Sequence, residues 1–129
     1  DFVALLKGRR RQVKALLLDQ AMLSGMGNIY TDEALFRAGI HPRAIAARLS
    51  RARLEGLWRE MRAVLTEAIA AGGSSISDYV DARGERGGFQ AQHRVYGRAG
   101  QPCRQCGTAL ERMLVAQRGT SYCPRCQRR

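Results

Sequence analysis

Residues 103 to 126 read CRQCGTALERMLVAQRGTSYCPRC and hold all four cysteines of the 129-residue chain, as two Cys-x-x-Cys pairs with sixteen residues between them. Two residues between cysteines let one tight knuckle aim both sulfurs at one ion, and two knuckles complete a tetrahedron. Cys103, Cys106, Cys123 and Cys126 are therefore the expected ligands of one structural Zn2+. A redox pair is expected near a βαβ pattern, which is absent, and disulfides suit an oxidising compartment that nothing else in the sequence supports. Between the knuckles, TALERMLVA and TSYC read as two strands joined around Gln117-Arg118-Gly119. A hairpin this short is marginal alone, and a zinc ion at its base would stiffen it and carry Arg118 at the tip. An arginine beside a turn glycine is equally consistent with a merely solvated side chain, and spacing alone does not choose.

Such a staple is expected, because a chain of this length makes one ordinary domain or two very small ones. Ahead of the cysteines the pattern is helical. Val13, Leu16, Leu17 and Leu23 recur at helical spacing until Gly25-Met26-Gly27 ends the run. Asn28 is then placed to cap a second helix, with Asp32 and Glu33 in its first turn, running to about Ala38 and stopping at Gly39 ahead of Pro42. A third helix is marked by Leu54, Leu57, Trp58, Met61, Val64, Leu65, Ala68 and Ile69, capped by Ser50 and ended by Gly72-Gly73. Trp58 and Met61 read as core. Ser75-x-x-Asp78 is a capping box for a short fourth helix to about Val80. Residues 81 to 88, DARGERGG, read as a loop, and HRVYGR, residues 93 to 98, as a short extended stretch. The expected fold is mainly α with a small β zinc ribbon, divided into a helical domain over 1–88, including the loop 81–88, and a zinc-finger hairpin over 89–129.

The charge is lopsided, with 22 Lys and Arg against 11 Asp and Glu. KGRRRQVK, residues 7 to 14, carries five positive charges and no acid, and from Arg83 onward ten arginines face two glutamates. Basic ends around a mixed middle suggest a polyanion, nucleic acid first, although a solvated basic surface gives the same pattern. Zinc bound by four thiolates would lower the formal +11 to +9, leaving the chain strongly basic. No apolar stretch reaches the ~18 residues that span a bilayer, so no membrane partner is expected. With no signal peptide in view, a reducing cytoplasm is the expected compartment. The Asp-Phe-Val start reads as a fragment of something longer.

Three segments carry a resemblance: LLLDQAMLSGMGNIYTDEALFRAGIHP, GGFQAQHRVYGRAGQPCRQCG and QRGTSYCPRCQ. Together they resemble the C-terminal half of bacterial formamidopyrimidine-DNA glycosylase, over essentially the whole chain. Endonuclease VIII, a sister in the superfamily, shares the helix-two-turn-helix and zinc hairpin, while GNIY and GGFQ…VYGR look more like the formamidopyrimidine branch. The resemblance implies a partner, double-stranded damaged DNA. It also implies a monomeric parent enzyme that removes oxidised purines (8-oxoguanine, formamidopyrimidines) and nicks the strand by β,δ-elimination. Asn28 matches the asparagine that binds a DNA phosphate beside the lesion, in keeping with the free amides of a helix N-terminus. Arg118 matches the hairpin arginine that contacts flanking phosphates and is assigned a proton-donor role in the final elimination; phosphate clamping is the stronger expectation, since arginine is a poor acid. Arg9 matches a DNA-contacting basic position, Lys14 a lysine near the lesion strand, and Arg86 falls in the loop that covers the everted base. The family nucleophile, an N-terminal proline followed by glutamate, lies on a separate catalytic domain missing from these residues, so the fragment is expected to be inactive alone. A stand-alone zinc-ribbon DNA-binding module without chemistry is the alternative. A ribonucleoprotein scaffold would explain the charge and cysteines but not the GMGNIY turn.

Overall fold

Among the described residues, helices meet a β-hairpin at the N-terminal turn of one helix, and the sequence shows why some of these pieces stop where they do. The computed structural model describes residues 2–19, 27–70 and 93–129. Four helices, α1 (Phe2–Lys7), α2 (Val13–Asp19), α3 (Gly27–Ala38) and α4 (Arg51–Ala70), precede an antiparallel pair, β1 (Glu111–Val115) and β2 (Arg118–Tyr122). The fold is thus mainly α with a small ribbon, as the pattern predicts. The end of the first helical run beyond Asp19, the glycine pair at 72–73, the capping box at Ser75 and Asp78, and the loop 81–88 with Arg86 all lie outside the described residues.

Two boundaries follow from local chemistry. At the end of α3, Gly39 adopts φ +71° and its N–H bonds to the Phe36 carbonyl while the Ile40 N–H bonds to that of Leu35. This pair of bonds closes the helix through a left-handed residue. A Cβ there would make only an ordinary 3.4 Å contact with the Cys126 carbonyl, so it is the left-handed φ that calls for glycine. At the start of α4, Ser50 Oγ accepts the Arg53 N–H at 3.1 Å, the cap read from sequence.

One core joins all four helices through Leu6, Leu16, Leu35, Leu54, Leu57 and Met61, with Trp58 half-buried and stacked on Phe2 at 4.9 Å. α1 was not legible in the sequence, since six residues do not establish a period. Ile69 departs from the expected stripe and is 71% exposed. A second, smaller core under the hairpin comprises Val95, Leu110, Cys103 and Cys123, completed by Phe36 from α3.

The hairpin register pairs Val115 with Arg118 and Glu111 with Tyr122. Its tip is therefore Ala116-Gln117, at φ 51° and 65°, and Arg118 is the first residue of β2 rather than part of the turn. The twist of paired strands favours left-handed residues in a two-residue turn, even at the cost of placing side chains there. Replacing Gln117 with Gly is expected to stabilise the zinc-loaded chain by roughly 0.5–1 kcal/mol, read as a raised melting temperature. A lowered one would show that the tip is not strained. Residues 93–98 also depart from expectation, because they form turns rather than an extended segment. Their amides bond to a carboxylate of α3, as described below, leaving no ladder for a strand.

Candidate nucleic-acid interface and metal centre

The four cysteine sulfurs all lie within 4.8 Å of one another. Cys106 and Cys123 are 3.5 Å apart and Cys103 and Cys126 3.9 Å, against the roughly 3.8 Å that tetrahedral Zn–S bonds of ~2.3 Å would impose. Amides of Gln105 and Cys126 point at the sulfurs of Cys103 and Cys123, each at 3.3 Å, as knuckle turns allow. Hydrogen bonding to Thr108 holds the Cys106 thiol down at about 6, while burial and the adjacent sulfurs push Cys126 up. Four thiolates side by side repel one another, and a divalent ion is what lets all four stay ionised. Soft tetrahedral donors of this kind suit zinc.

Beside this centre, α2 and α3 converge on β2. Lys14 of α2 is buried, and its ammonium meets Asp32 Oδ1 at 2.7 Å, Thr120 Oγ1 at 2.7 Å and the Gly119 carbonyl at 3.4 Å. Asp32 Oδ2 accepts the Ser121 N–H at 3.1 Å. Burial pushes the Asp32 carboxyl up to about 6 and lowers the Lys14 ammonium below its usual value, although their mutual attraction opposes both shifts. At 2.7 Å the two form a buried ion pair. Asn28 sits in the first turn of α3 rather than capping it, and its Nδ2 donates to the Gly119 carbonyl at 2.9 Å. An amide nitrogen carries two N–H groups, so one remains after this bond. Its Oδ1 is buried without a hydrogen-bond partner among the described residues.

Asp32 and Glu33 therefore do not sit in the first helical turn complementing the dipole, as their spacing suggests. Both are buried one turn further on and used for tertiary contacts. Glu33 Oε1 accepts the Arg94 N–H at 2.7 Å, and Oε2 accepts those of Val95 and Tyr96 at 2.9 and 2.8 Å. That wraps residues 94–96 around one anion and brings Tyr96 to the edge of a groove of about 370 Å3, lined by Asn28, Tyr96, Gly97, Ala99, Arg112, Gly119 and Ser121.

The arginines divide into two groups. Arg98 bonds to the Arg94 and Pro102 carbonyls and to Gln101, Arg53 to the carbonyls of Gly39, Arg128 and Arg129, Arg43 to that of Leu114, and Arg37 to Glu67. These guanidiniums hold the fold. Arg112 lines the groove, and a Cβ on Gly119 would fall 3.0 Å from the Arg112 Cζ, so the missing side chain makes room for that guanidinium. Arg118, exposed at the start of β2, is close enough to Lys14 to help depress its ammonium. The structure thus brings Asn28, Lys14 and Arg118 together. Arg9 lies after α1, is exposed, and is not among the residues lining the groove. Sequence reasoning missed Glu33, Asp32, Tyr96 and Arg112; a carboxylate near a helix start and a lone aromatic in a loop carry no spacing that separates burial from exposure.

Known proteins share both halves of this arrangement. Residues 1–80 match the family described as Formamidopyrimidine-DNA glycosylase H2TH domain, and residues 100–129 the zinc finger found in FPG and IleRS. The Formamidopyrimidine-DNA glycosylase of Solibacter usitatus (strain Ellin6076) is 56% identical over 129 residues, covering 100% of this chain and 49% of that protein. The crystal structure of MutM (FPG) protein from Thermus thermophilus aligns with a TM-score of 0.88 and 51% identity, over 98% of this chain and 48% of that one. A Lactococcus lactis FPG mutant in complex with a Fapy-dG containing DNA gives a TM-score of 0.89 and 38% identity, over 99% of this chain and 47% of that one. The chain spans about half the length of the relatives it matches.

Proposed function

The chain belongs to the formamidopyrimidine-DNA glycosylase family, and from that premise we propose that these residues are the half that grips the backbone of damaged duplex DNA. One observation carries the reading: the N-terminal turn of α3 and the zinc hairpin meet at a groove bordered by Asn28, Arg112 and Gly119, the residue that follows Arg118. The positive end of the α3 dipole and the second N–H of Asn28 suit one phosphate. The Arg118 fork suits a neighbouring one. The planar fork of donors on a guanidinium makes Arg118 a clamp before it is the family's proton donor.

In the parent enzyme, removal of oxidised purines such as 8-oxoguanine and formamidopyrimidines, followed by β,δ-elimination, would use a proline nucleophile on the N-terminal catalytic domain. Residues 1–88 would then supply the helix-two-turn-helix and the loop with Arg86 that covers the everted base, and residues 89–129 the hairpin. One zinc, held by Cys103, Cys106, Cys123 and Cys126, has a structural role, fixing the base of the hairpin so that Arg118 is presented rigidly. A monomer acting on chromosomal DNA in the cytoplasm completes the reading.

Binding of the zinc-loaded chain to a duplex carrying an abasic-site analogue tests it by fluorescence anisotropy across a salt series. Affinity is expected to fall steeply with salt, with Arg118→Ala weakening binding roughly tenfold and removing about 0.9 from the log–log slope. Asn28→Ala is expected to weaken binding by a similar factor with the slope unchanged, because the amide is neutral. Salt-independent affinity, or none at low salt, would sink the proposal. The chain alone is expected to give no borohydride-trapped adduct on 8-oxoguanine DNA; an adduct above background would show a nucleophile among these residues.

A further inference from the structure

Among the described residues, Lys14 is the basic side chain whose placement departs most from a phosphate contact. Its side chain has 0% exposure, and it is not among the residues that line the groove. An ammonium has three N–H groups, and three oxygens surround this one: Asp32 Oδ1, Thr120 Oγ1 and the Gly119 carbonyl. Its charge is balanced by Asp32, so neither a free donor nor a net charge is left for a polyanion.

What the pair holds is specific. Lys14 binds Gly119 and Thr120, Asp32 binds the Ser121 amide, and Thr120 Oγ1 donates to the Arg118 carbonyl at 3.1 Å. Three consecutive residues after Arg118 are thereby pinned to α2 and α3. On its other side Arg118 adjoins the left-handed Ala116-Gln117 tip, where Val115 is its last ladder partner. We propose that Lys14 and Asp32 are positioning residues that act through Arg118, fixing where its guanidinium stands beside the groove without touching the nucleic acid themselves. The inference rests on the DNA-gripping reading and adds to it which charges do the gripping and which one is neutralised in the scaffold.

A double-mutant cycle on the zinc-loaded chain tests it, using a duplex with a tetrahydrofuran abasic analogue and a potassium chloride series. Lys14→Met and Arg118→Ala are each expected to weaken binding roughly tenfold, and the double variant no more than Arg118→Ala alone. All three should lose the same single increment of about 0.9 in salt slope. Losses that multiply to about a hundredfold, with two increments gone, would make Lys14 a phosphate ligand and overturn the proposal. A further loss from Lys14→Met in the Arg118→Ala background with the slope unchanged would reduce Lys14 to general scaffolding and overturn it as well. Should Lys14→Met fail to fold around an uncompensated Asp32, the variant Lys14→Met/Asp32→Leu replaces the pair with apolar groups and keeps the core filled. It is expected to melt at or above the wild-type temperature while still losing the Arg118-dependent affinity; wild-type affinity in that variant would overturn the proposal. Failure of the wild-type chain to bind at low salt is read before any variant, and counts against the DNA-gripping reading itself.

Discussion

Chelating the metal, or replacing Cys123 with Ser, is expected to unfold residues 93–129 and to abolish binding that depends on Arg118. The reason is the size of what remains. Beyond the sulfurs, the small core offers Val95 and Leu110, and it borrows Phe36 from α3. Two strands of five residues each do not hold together in water on such a base. Structural zinc in comparable small sites supplies about 10–16 kcal/mol of apparent binding energy, which is folding energy when the apo segment is unfolded. The consequences reach the helical half, because the tail after Cys126 is stitched to it. Gln127 accepts the Cys123 N–H and donates to the Ile40 carbonyl, Arg128 exchanges backbone bonds with Gly39 and His41, and Arg53 binds the carbonyls of Gly39, Arg128 and Arg129. Metal loss should therefore uncover Ile40 and loosen the end of α3, while the shared leucine core keeps α1, α2 and α4 helical. Amide spectra of apo and zinc-loaded protein give the measurement. Collapse of the dispersed signals from 93–129, with most helical ellipticity retained, is the expected outcome; unchanged dispersion without metal would rule out a structural role for the ion.

The cysteine knuckles, the end of α3 and the start of α4 were legible because each is set by local chemistry: paired sulfurs, a left-handed glycine at Gly39, a hydroxyl cap at Ser50. The hairpin tip was misplaced by a residue or more for the same reason. Gly119 is the visible turn residue, yet the turn is made by Ala116 and Gln117, which carry no such mark. Tertiary use of charge was not legible at all. Arg98 and Arg53 look like Arg118 in the sequence, and only the folded chain shows that the first two are spent on backbone carbonyls while the third is exposed. Asp32 and Glu33 are adjacent carboxylates in one helix, yet one neutralises a lysine and the other gathers backbone amides.

That second role implies a large effect from a nearly isosteric change. Glu33→Gln is expected to cost about 3–5 kcal/mol, a large share of the ~5–15 kcal/mol that holds a typical domain. Glu33 is fully buried, and its two oxygens take three amide N–H groups, from Arg94, Val95 and Tyr96. Bonds to a charged acceptor are worth about 1.5–3 kcal/mol each. Glutamine removes the charge from all three bonds and replaces one oxygen with a donor, so at least one of the three amides faces an N–H2 group and loses its partner. Asp in its place would be a methylene short of the same amides, so restoring the charge there should not restore the stability. Denaturant unfolding of the zinc-loaded variants measures the loss, and hydrogen exchange at residues 94–96 locates it. A change under about 1 kcal/mol would mean that another group can take over the three amides. The functional consequence follows from the groove, because Tyr96 and Gly97 form part of its wall. Once their backbone is released from Glu33, that wall no longer faces Asn28 in a fixed position, so DNA affinity should fall even though no charge that meets the phosphate backbone has been removed.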